Sequence, residues 1–88
     1  MKEPLIFLLL ILISLTFFGQ NAAELNEQSK IFIETQEFDK AFSVLKQAAE
    51  LGNAESQYNL GYFFQSGISV DKNLEKAVEW YLKSANQD

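Results

Sequence analysis

The segment from Asp71 to Glu75 comes nearest to a metal-binding motif in this sequence. Its carboxylates and the amide of Asn73 are oxygen ligands of the kind that a calcium loop presents at alternating positions. Such a loop also needs a glycine after its third ligand and a glutamate at its last position, and both are missing here. Asn and Asp are also strongly preferred as caps of a helix N-terminus. We therefore interpret the segment as the start of a helix and predict no metal site.

Several residue types that catalysis usually needs are absent from the chain. Its 88 residues include no histidine, no cysteine and no arginine, so the common general base, the thiolate nucleophile and the guanidinium group that binds phosphate are missing. Glu75 and Glu79 lie one helical turn apart, but Glu79 has the same spacing to Lys83. Lys46 and Glu50 repeat this arrangement, which is typical of a solvated helix surface. We therefore predict no catalytic residue, no cofactor and no enzymatic activity.

The charge balance argues against nucleic acid as a partner. The chain has 12 acidic and 7 basic residues, which gives a net charge of −5 at pH 7. Nucleic acid and anionic lipid headgroups are themselves negative, so this excess repels them. We therefore predict no nucleic-acid partner, and contact with a membrane only through the N-terminal segment.

Apolar residues recur at helical spacing through most of the chain after residue 23. One stripe comprises Phe38, Ala41, Phe42, Leu45, Ala48 and Ala49, and another comprises Leu74, Ala77, Val78, Tyr81 and Ala85. Each set falls on one side of a helix. Gly52 and Gly67 are typical helix ends, and Asn53 and Asn73 are typical caps of the helices that follow them.

Two further helices complete this pattern. Glu24–Glu34 forms the first, with Leu25, Gln28 and Phe32 on one side, although residues 31–33 alone resemble a strand. Ala54–Ser66 forms the third, between Asn53 and Gly67. The sequence thus predicts two successive pairs of helices, each joined by a turn.

The second and fourth predicted helices have related sequences. Phe38 aligns with Leu74, and Ala41 aligns with Ala77, both at an offset of 36 residues. Repeats of this length are typical of helical solenoids. We therefore predict an all-α fold, a short superhelix (solenoid) of about two helix-turn-helix repeats.

A set of residues in the second half of the chain matches a known repeat pattern. These structural positions are Leu60, Gly61, Phe64, Gly67, Val70, Ala77, Trp80, Tyr81 and Ala85, together with Lys76 and Lys83. In this arrangement the chain resembles the Sel1-like repeat family, a relative of the tetratricopeptide repeat. The match is strong over residues 53–88, and residues 24–52 resemble a degenerate first repeat.

Two positions in this pattern carry expectations about the backbone. Gly61 lies inside a helix, where glycine costs about 1 kcal/mol relative to alanine, and we expect close backbone contact with the following helix in return. Ser69 stands where the family pattern has glycine, so we expect a backbone angle that serine adopts only at a cost. Tyr58, with Phe64, Trp80 and Tyr81, could form an aromatic ligand box, but these coincide with packing positions and are expected in the core.

The resemblance also implies a binding surface. In this superfamily the first helix of each pair lines a concave surface, and its exposed positions contact partners. Carried over to this chain, these positions are Asn26, Lys30, Ile33, Glu34, Glu55, Tyr62, Gln65 and Ser66. Such a mixed polar surface with one aromatic and one aliphatic anchor suits a protein or peptide ligand. The alternative is that these are ordinary solvated residues.

The N-terminal segment has the order of a secretory signal. Lys2 precedes an apolar run, Leu5–Phe18, and small or polar residues follow it. As a helix at about 1.5 Å per residue, this run reaches roughly 21 Å, less than the roughly 30 Å hydrocarbon core of a bilayer. We predict a signal peptide over residues 1–23, cut near Ala22 or Ala23, and a repeat domain over residues 24–88.

These observations predict an exported protein, periplasmic or secreted, that mediates protein–protein interaction as an adaptor, scaffold or inhibitor. One alternative is a small protein anchored in the inner membrane by an uncleaved N-terminal helix that is itself functional. Another is a fragment of a longer repeat protein, since solenoids usually stack three or more units. With about two units some apolar surface stays open, so homo-oligomerisation is a further expectation.

Overall fold

The computed structural model describes residues 21–87, which form four helices joined by turns. Helix α1 is described over residues 21–34, and the others are α2, Phe38–Glu50, α3, Ala54–Ser66, and α4, Leu74–Ala85. No strand occurs within these residues, so the all-α prediction is confirmed. None of their helices has the length and apolar character needed to cross a bilayer.

Residues 1–20 lie outside the described residues, so most of the predicted signal peptide and its apolar run lie there too. The chain is already helical at residue 21, ahead of the predicted start at Glu24. Residues 31–33 are helical as well, and the strand-like reading of them is wrong, because β-branched composition is a weak preference that the surrounding fold overrides.

Asparagine side chains cap α3 and α4. The Asn53 Oδ1 accepts a hydrogen bond from the Ser56 backbone N–H at 2.8 Å, and the Asn73 Oδ1 accepts one from the Lys76 N–H at 3.0 Å. Each bond satisfies a backbone donor at a helix start and is worth about 1 kcal/mol. The prediction that Asn73 is a helix cap is thus confirmed.

Residues with positive φ angles lie at the end of α3 and in the loop that follows it. Gly67 has φ 70°, a left-handed angle that glycine adopts without steric cost. Ser69 has φ 60°, as expected from its place in the repeat pattern. Gln36, with φ 61°, is a second residue other than glycine that has a positive φ, and it lies in the turn between α1 and α2. For a residue with a Cβ, this conformation costs roughly 1–2 kcal/mol.

Helix α3 packs between α2 and α4, and the core lies at these two contacts. The core residues are Ala41, Leu45, Ala49, Leu60, Phe63, Phe64 and Ala77. Alanines on α2 and α4 allow the helices to approach closely, and larger side chains fill the remaining space. Phe42 joins them at the edge, with its ring centroid 5.8 Å from that of Phe64 and 6.2 Å from that of Phe63.

Gly61 marks the closest approach between α3 and α4. A Cβ at this position would lie 2.9 Å from ring carbons of Tyr81 and 3.1 Å from the backbone oxygen of Ala77. The expected close contact with the following helix is therefore confirmed. Alanine would not fit here without a shift of α4 or of the Tyr81 ring.

The contact between α1 and α3 is polar and buried. The Ser56 hydroxyl donates to the Asn26 Oδ1 at 2.7 Å, and the Ser29 hydroxyl donates to the Asn26 backbone oxygen at 2.6 Å. Ser56 and Ser29 are both fully buried. Since every buried side-chain nitrogen and oxygen within residues 21–87 has a partner, this contact costs no unsatisfied polar group.

The predicted apolar stripe of α4 is only partly in the core. Ala77 is buried and Tyr81 is half-buried against α3, whereas Leu74 and Val78 are 57% and 54% exposed. Ala85 is exposed too. Helical spacing identifies which residues share a side, but burial also requires a neighbouring element on that side. Among the described residues, no helix covers this flank of α4.

Candidate protein-interaction surface

Two tyrosines lie on the open face of α3. Tyr58 and Tyr62 are one helical turn apart, and they are 56% and 50% exposed. Leu60 lies between them in the sequence and is buried, because two residues turn a helix by about 200°. The tyrosines therefore point away from the contact with α2. Tyr62 was expected to be exposed, and this is confirmed, whereas the expectation that Tyr58 lies in the core is wrong.

An ion pair joins this face to α1. The Lys30 Nζ lies 3.0 Å from a carboxylate oxygen of Glu55 on α3 and 3.1 Å from one of Glu27 on α1. Its hydrogen bonds to Glu55 and then to Glu27 raise the pKa of Lys30 above its usual value. The lysine thus stays charged and orients α1 along α3 beside the tyrosines.

Tyr81 of α4 closes the other side of the same face. Its hydroxyl donates to the Gln65 Oε1 at 2.6 Å, and its ring centroid lies 5.1 Å from that of Tyr58. Burial, followed by the nearby Tyr58 and Tyr62 hydroxyls, raises the pKa of Tyr81. A cavity of about 570 Å³ lies here, lined by Ala54, Glu55, Tyr58, Gln65, Tyr81, Ser84 and Ala85. Its lining thus combines two aromatic rings with a few polar groups.

Six of the eight residues predicted to contact a partner lie on the accessible surface. Lys30 is half-buried, and Glu34, Glu55, Tyr62, Gln65 and Ser66 are exposed. The structure brings Lys30 together with Glu55, whereas Gln65 is bonded to Tyr81 of α4. Glu34 and Ser66 lie at the ends of their helices.

The other two residues are placed differently from the expectation. Asn26 is 4% exposed and bonded to Ser56, so its expected exposure is wrong. Ile33 is half-buried and packs against the core, so it is not an exposed aliphatic anchor either. Both expectations placed the open side of α1 incorrectly, because the polar sequence of this helix does not show which face meets α3.

Two aromatic residues that line this surface were not among the predicted contact residues, namely Tyr58 and Tyr81. A signal was present in the sequence for Tyr58, since it precedes Tyr62 by four residues and must share its face.

The described residues hold no group of three side chains arranged to bind a metal ion.

The paired helices, the cap-and-turn pattern and the open face of α1 and α3 define a helical-repeat protein of the solenoid class. The chain belongs to the Sel1 repeat family, whose model matches residues 33–53 and 54–88. Sel1 repeats generally mediate protein–protein interaction, and proteins with them are typically non-catalytic interaction or regulatory modules.

Relatives from distant organisms contain similar segments. The chain is 48% identical over 44 residues to the sel1-like repeat-containing protein L18 of Acanthamoeba polyphaga mimivirus, which covers 50% of the chain and 8% of that protein. It is 38% identical over 50 residues to the chitin synthase regulator SKT5 of Saccharomyces cerevisiae, covering 57% of the chain and 7% of the relative. It is 33% identical over 52 residues to the ERAD-associated E3 ubiquitin-protein ligase component HRD3A of Arabidopsis thaliana, covering 58% and 8%.

The chain thus spans less than a tenth of the length of these relatives. What it shares with them is the repeat itself. No solved structure shows significant similarity to the chain.

Proposed function

We propose that this chain is an exported, non-enzymatic repeat protein that binds a segment of another protein along the open face of α1 and α3. The observation that carries the proposal is the pair of exposed tyrosines, Tyr58 and Tyr62, on the first helix of a Sel1 repeat. Tyrosine is enriched among the residues that dominate binding energy, because it offers a large rigid surface with one polar end.

The chemistry of this face favours a peptide over a small molecule. The tyrosine rings provide apolar contact, and Lys30, Glu55 and Gln65 provide hydrogen-bonding groups spread over two helices. Side chains arranged along a helix pair match a ligand that extends along it. A protein segment with an apolar residue packed against the exposed edges of the Tyr58 and Tyr81 rings fits this layout.

The biological role that follows is that of an adaptor, a scaffold or an inhibitor. The relatives named above include a regulator of chitin synthase and a component of a ubiquitin-protein ligase. By analogy, this chain acts on a partner protein by occupying part of its surface. No chemical step is required of its own side chains.

Export is supported by the N-terminal sequence, in which Lys2 precedes the apolar run Leu5–Phe18. Mass spectrometry of the protein recovered from outside the cytoplasm tests this part of the proposal. A mass reduced by the first 21 to 23 residues supports a cleaved signal, and the mass of the full 88-residue chain supports a retained anchor.

A second copy of the chain is a further partner in this proposal. Leu74, Val78 and Leu82 form an exposed apolar stripe along α4, on the flank that no described helix covers. Burying such a stripe against its counterpart removes apolar surface from water at about 25 cal/mol per Å². The chain is therefore expected to self-associate through α4.

Quantitative capture of partners from the exporting cell tests the binding face. The full chain carrying both Tyr58→Ala and Tyr62→Ala is compared with the wild type and with Ile31→Ala, an equally exposed truncation on α1. A partner retained by the wild type and the control, but reduced at least about tenfold by the tyrosine changes, supports the proposal. Equal retention by all three proteins would place binding elsewhere.

A further inference from the structure

A second groove lies between α2 and α4, above α3. Phe42, Phe64 and Trp80 form part of its floor, and the cavity has a volume of about 390 Å³. Phe64 is 8% exposed, and Phe42 and Trp80 are half-buried. This size lies within the range of about 300–1,000 Å³ that is usual for ligand pockets. The floor is therefore apolar and aromatic, with room for one or two side chains.

Three lysines surround this floor. Lys46 extends from α2, and Lys76 and Lys83 extend from α4. The Lys83 Nζ lies 4.4 Å from the centre of the Trp80 ring, and the Lys76 Nζ lies 5.5 Å from that of Phe64. The ring faces attract these two ammonium groups and hold them over the groove.

Within residues 21–87, no carboxylate forms an ion pair with the groove lysines. The ion pairs found within residues 21–87 involve Lys30 and Lys40. Glu79 also lines the groove, yet its carboxylate is outside salt-bridge distance of the three lysines. The spacing of Glu79 and Lys83 predicted a solvated surface, and both residues are exposed, but the Lys83 ammonium lies over the Trp80 ring and forms no ion pair with Glu79. In a chain with a net charge of −5, this groove is a local positive site.

The groove is separate from the tyrosine face, which is the open face of α3 that carries Tyr58 and Tyr62. Leu60 and Phe64 line it, while Tyr58 and Tyr62 lie two residues away from them along α3 and so point to the opposite side. A ligand in the groove and a ligand on the tyrosine face can therefore be bound at the same time. The groove also depends on both helix pairs, since Lys46 comes from the first and Lys83 from the second.

We propose that this groove binds a short acidic segment of another polypeptide. An apolar side chain of that segment packs on Trp80 and Phe64, and carboxylates on either side of it accept hydrogen bonds from Lys46 and Lys83. Ammonium–carboxylate bonds of this kind are stronger than neutral ones. Specificity comes from the combination of an apolar anchor with flanking negative charge.

The surrounding charge favours an acidic peptide over a nucleic acid. A nucleic acid extends its phosphates beyond the groove, where the acidic remainder of the chain repels them. A peptide with a few carboxylates places its charge within the groove, inside the screening distance of about 8 Å at physiological salt. The favourable contact is then short in range and weakened by added salt.

Fluorescence anisotropy with a defined peptide tests the proposal. The probe is a labelled peptide with one phenylalanine flanked on each side by two glutamates, and the protein is the full chain. Replacing the glutamates of the probe with glutamines, or its phenylalanine with glycine, should weaken binding at least about fivefold in each case. Added salt should weaken binding of the acidic probe but not of the glutamine probe.

Variants of the chain assign the binding to the groove. Lys46→Gln and Lys83→Gln should each weaken binding about fivefold, and together about 25-fold. Lys72→Gln removes the same charge outside the groove and should leave binding within about twofold of the wild type. Glu79→Gln should strengthen binding, because it removes the negative charge that lines the groove. Far-ultraviolet circular dichroism verifies that each variant is folded.

Three outcomes would overturn the proposal. The first is an unchanged affinity after both groove lysines are replaced, and the second is an equal loss on Lys72→Gln. The third is tighter binding of a single-stranded oligonucleotide than of the peptide, which would indicate a nucleic-acid site. Changes at Tyr58 and Tyr62 are expected to leave peptide affinity unaltered, so this test is independent of the function proposed above.

Discussion

Gly61 sets the distance between the last two helices through the atom that it lacks. The Tyr81 ring and the Ala77 carbonyl occupy the space where a Cβ would project. The same ring then reaches Tyr58 and Gln65 on the open face of α3. One small residue inside the helix contact therefore decides where an aromatic wall of the binding surface lies.

Gly61→Ala should destabilise the protein despite the better helix propensity of alanine. Propensity favours alanine by about 1 kcal/mol, whereas forcing a methyl group into a filled contact costs typically 1–3 kcal/mol. We expect a net loss of about 1 kcal/mol in the free energy of unfolding, measured by urea denaturation.

Ser66→Ala, an exposed change in the last turn of α3, serves as the control and should be neutral or slightly stabilising. Combining Gly61→Ala with Tyr81→Ala should reduce the penalty, since the ring is then gone. A Gly61→Ala protein that is more stable than the wild type would contradict the steric explanation.

Local chemistry made several single residues predictable. The caps at Asn53 and Asn73 and the φ angle of Ser69 depend on a few neighbouring residues and on backbone geometry alone. The exposure of Tyr58 could not be obtained in the same way. It depends on which sides of α3 are covered by other helices, and the repeat pattern assigns this only approximately.

At the scale of helices, α1 differs from the others in how it is held. It contacts α3 through the Asn26–Ser56 hydrogen bond and the Lys30–Glu55 ion pair, whereas α2, α3 and α4 share an apolar core. The buried side of α1 mixes the polar residues Asn26 and Ser29 with apolar residues near its end, so no continuous apolar stripe identified it in the sequence. For this reason the contact residues on α1 were the least predictable part of the site.

Asn26→Ala should loosen α1 more than its small size suggests. The change leaves the buried Ser56 hydroxyl without its acceptor, at a cost of about 1–3 kcal/mol. A double-mutant cycle with Ser56→Ala should give a coupling energy of about 1 kcal/mol by chemical denaturation. Hydrogen exchange should show faster opening of α1 than of α3.

Gln28→Ala is the matched control, because Gln28 is exposed on the same helix. Its effect should lie within about 0.5 kcal/mol of zero. Additive effects of Asn26→Ala and Ser56→Ala would instead show that their hydrogen bond does not couple the two helices.

At the scale of the whole molecule, the described part of the chain has three surfaces with different chemistry. They are the tyrosine face, the groove between α2 and α4 with its three lysines, and the apolar stripe of Leu74, Val78 and Leu82 along α4. The fold itself was predictable as paired helices, because periodic spacing and caps determine it. The groove was not, since Lys46 and Lys83 meet only after the two repeats have packed together.

Self-association through α4 should appear as a mass that rises with protein concentration. Sedimentation equilibrium of the full chain is expected to show association at micromolar concentrations. Val78→Glu places a charge in the middle of the stripe and should raise the dissociation constant at least tenfold. This corresponds to a loss of about 1.4 kcal/mol or more in the free energy of association.

Ile31→Glu is the control for this change, because it adds the same charge at an exposed apolar position of α1. It should leave the association constant within about twofold of the wild type, since it lies outside the stripe. A mass that stays monomeric in the wild type, or association that survives Val78→Glu, would refute a contact through α4.

Helix α3 lies between α2 and α4, with the tyrosines on one side and the groove floor on the other. Two polypeptides held on these opposite sides would be separated by little more than the width of one helix, about 10 Å. At such a spacing, capture of one chain raises the local concentration of any segment tethered to it, reaching the millimolar range for a short flexible tether. A protein of this size can thereby hold two other proteins side by side without enclosing either of them.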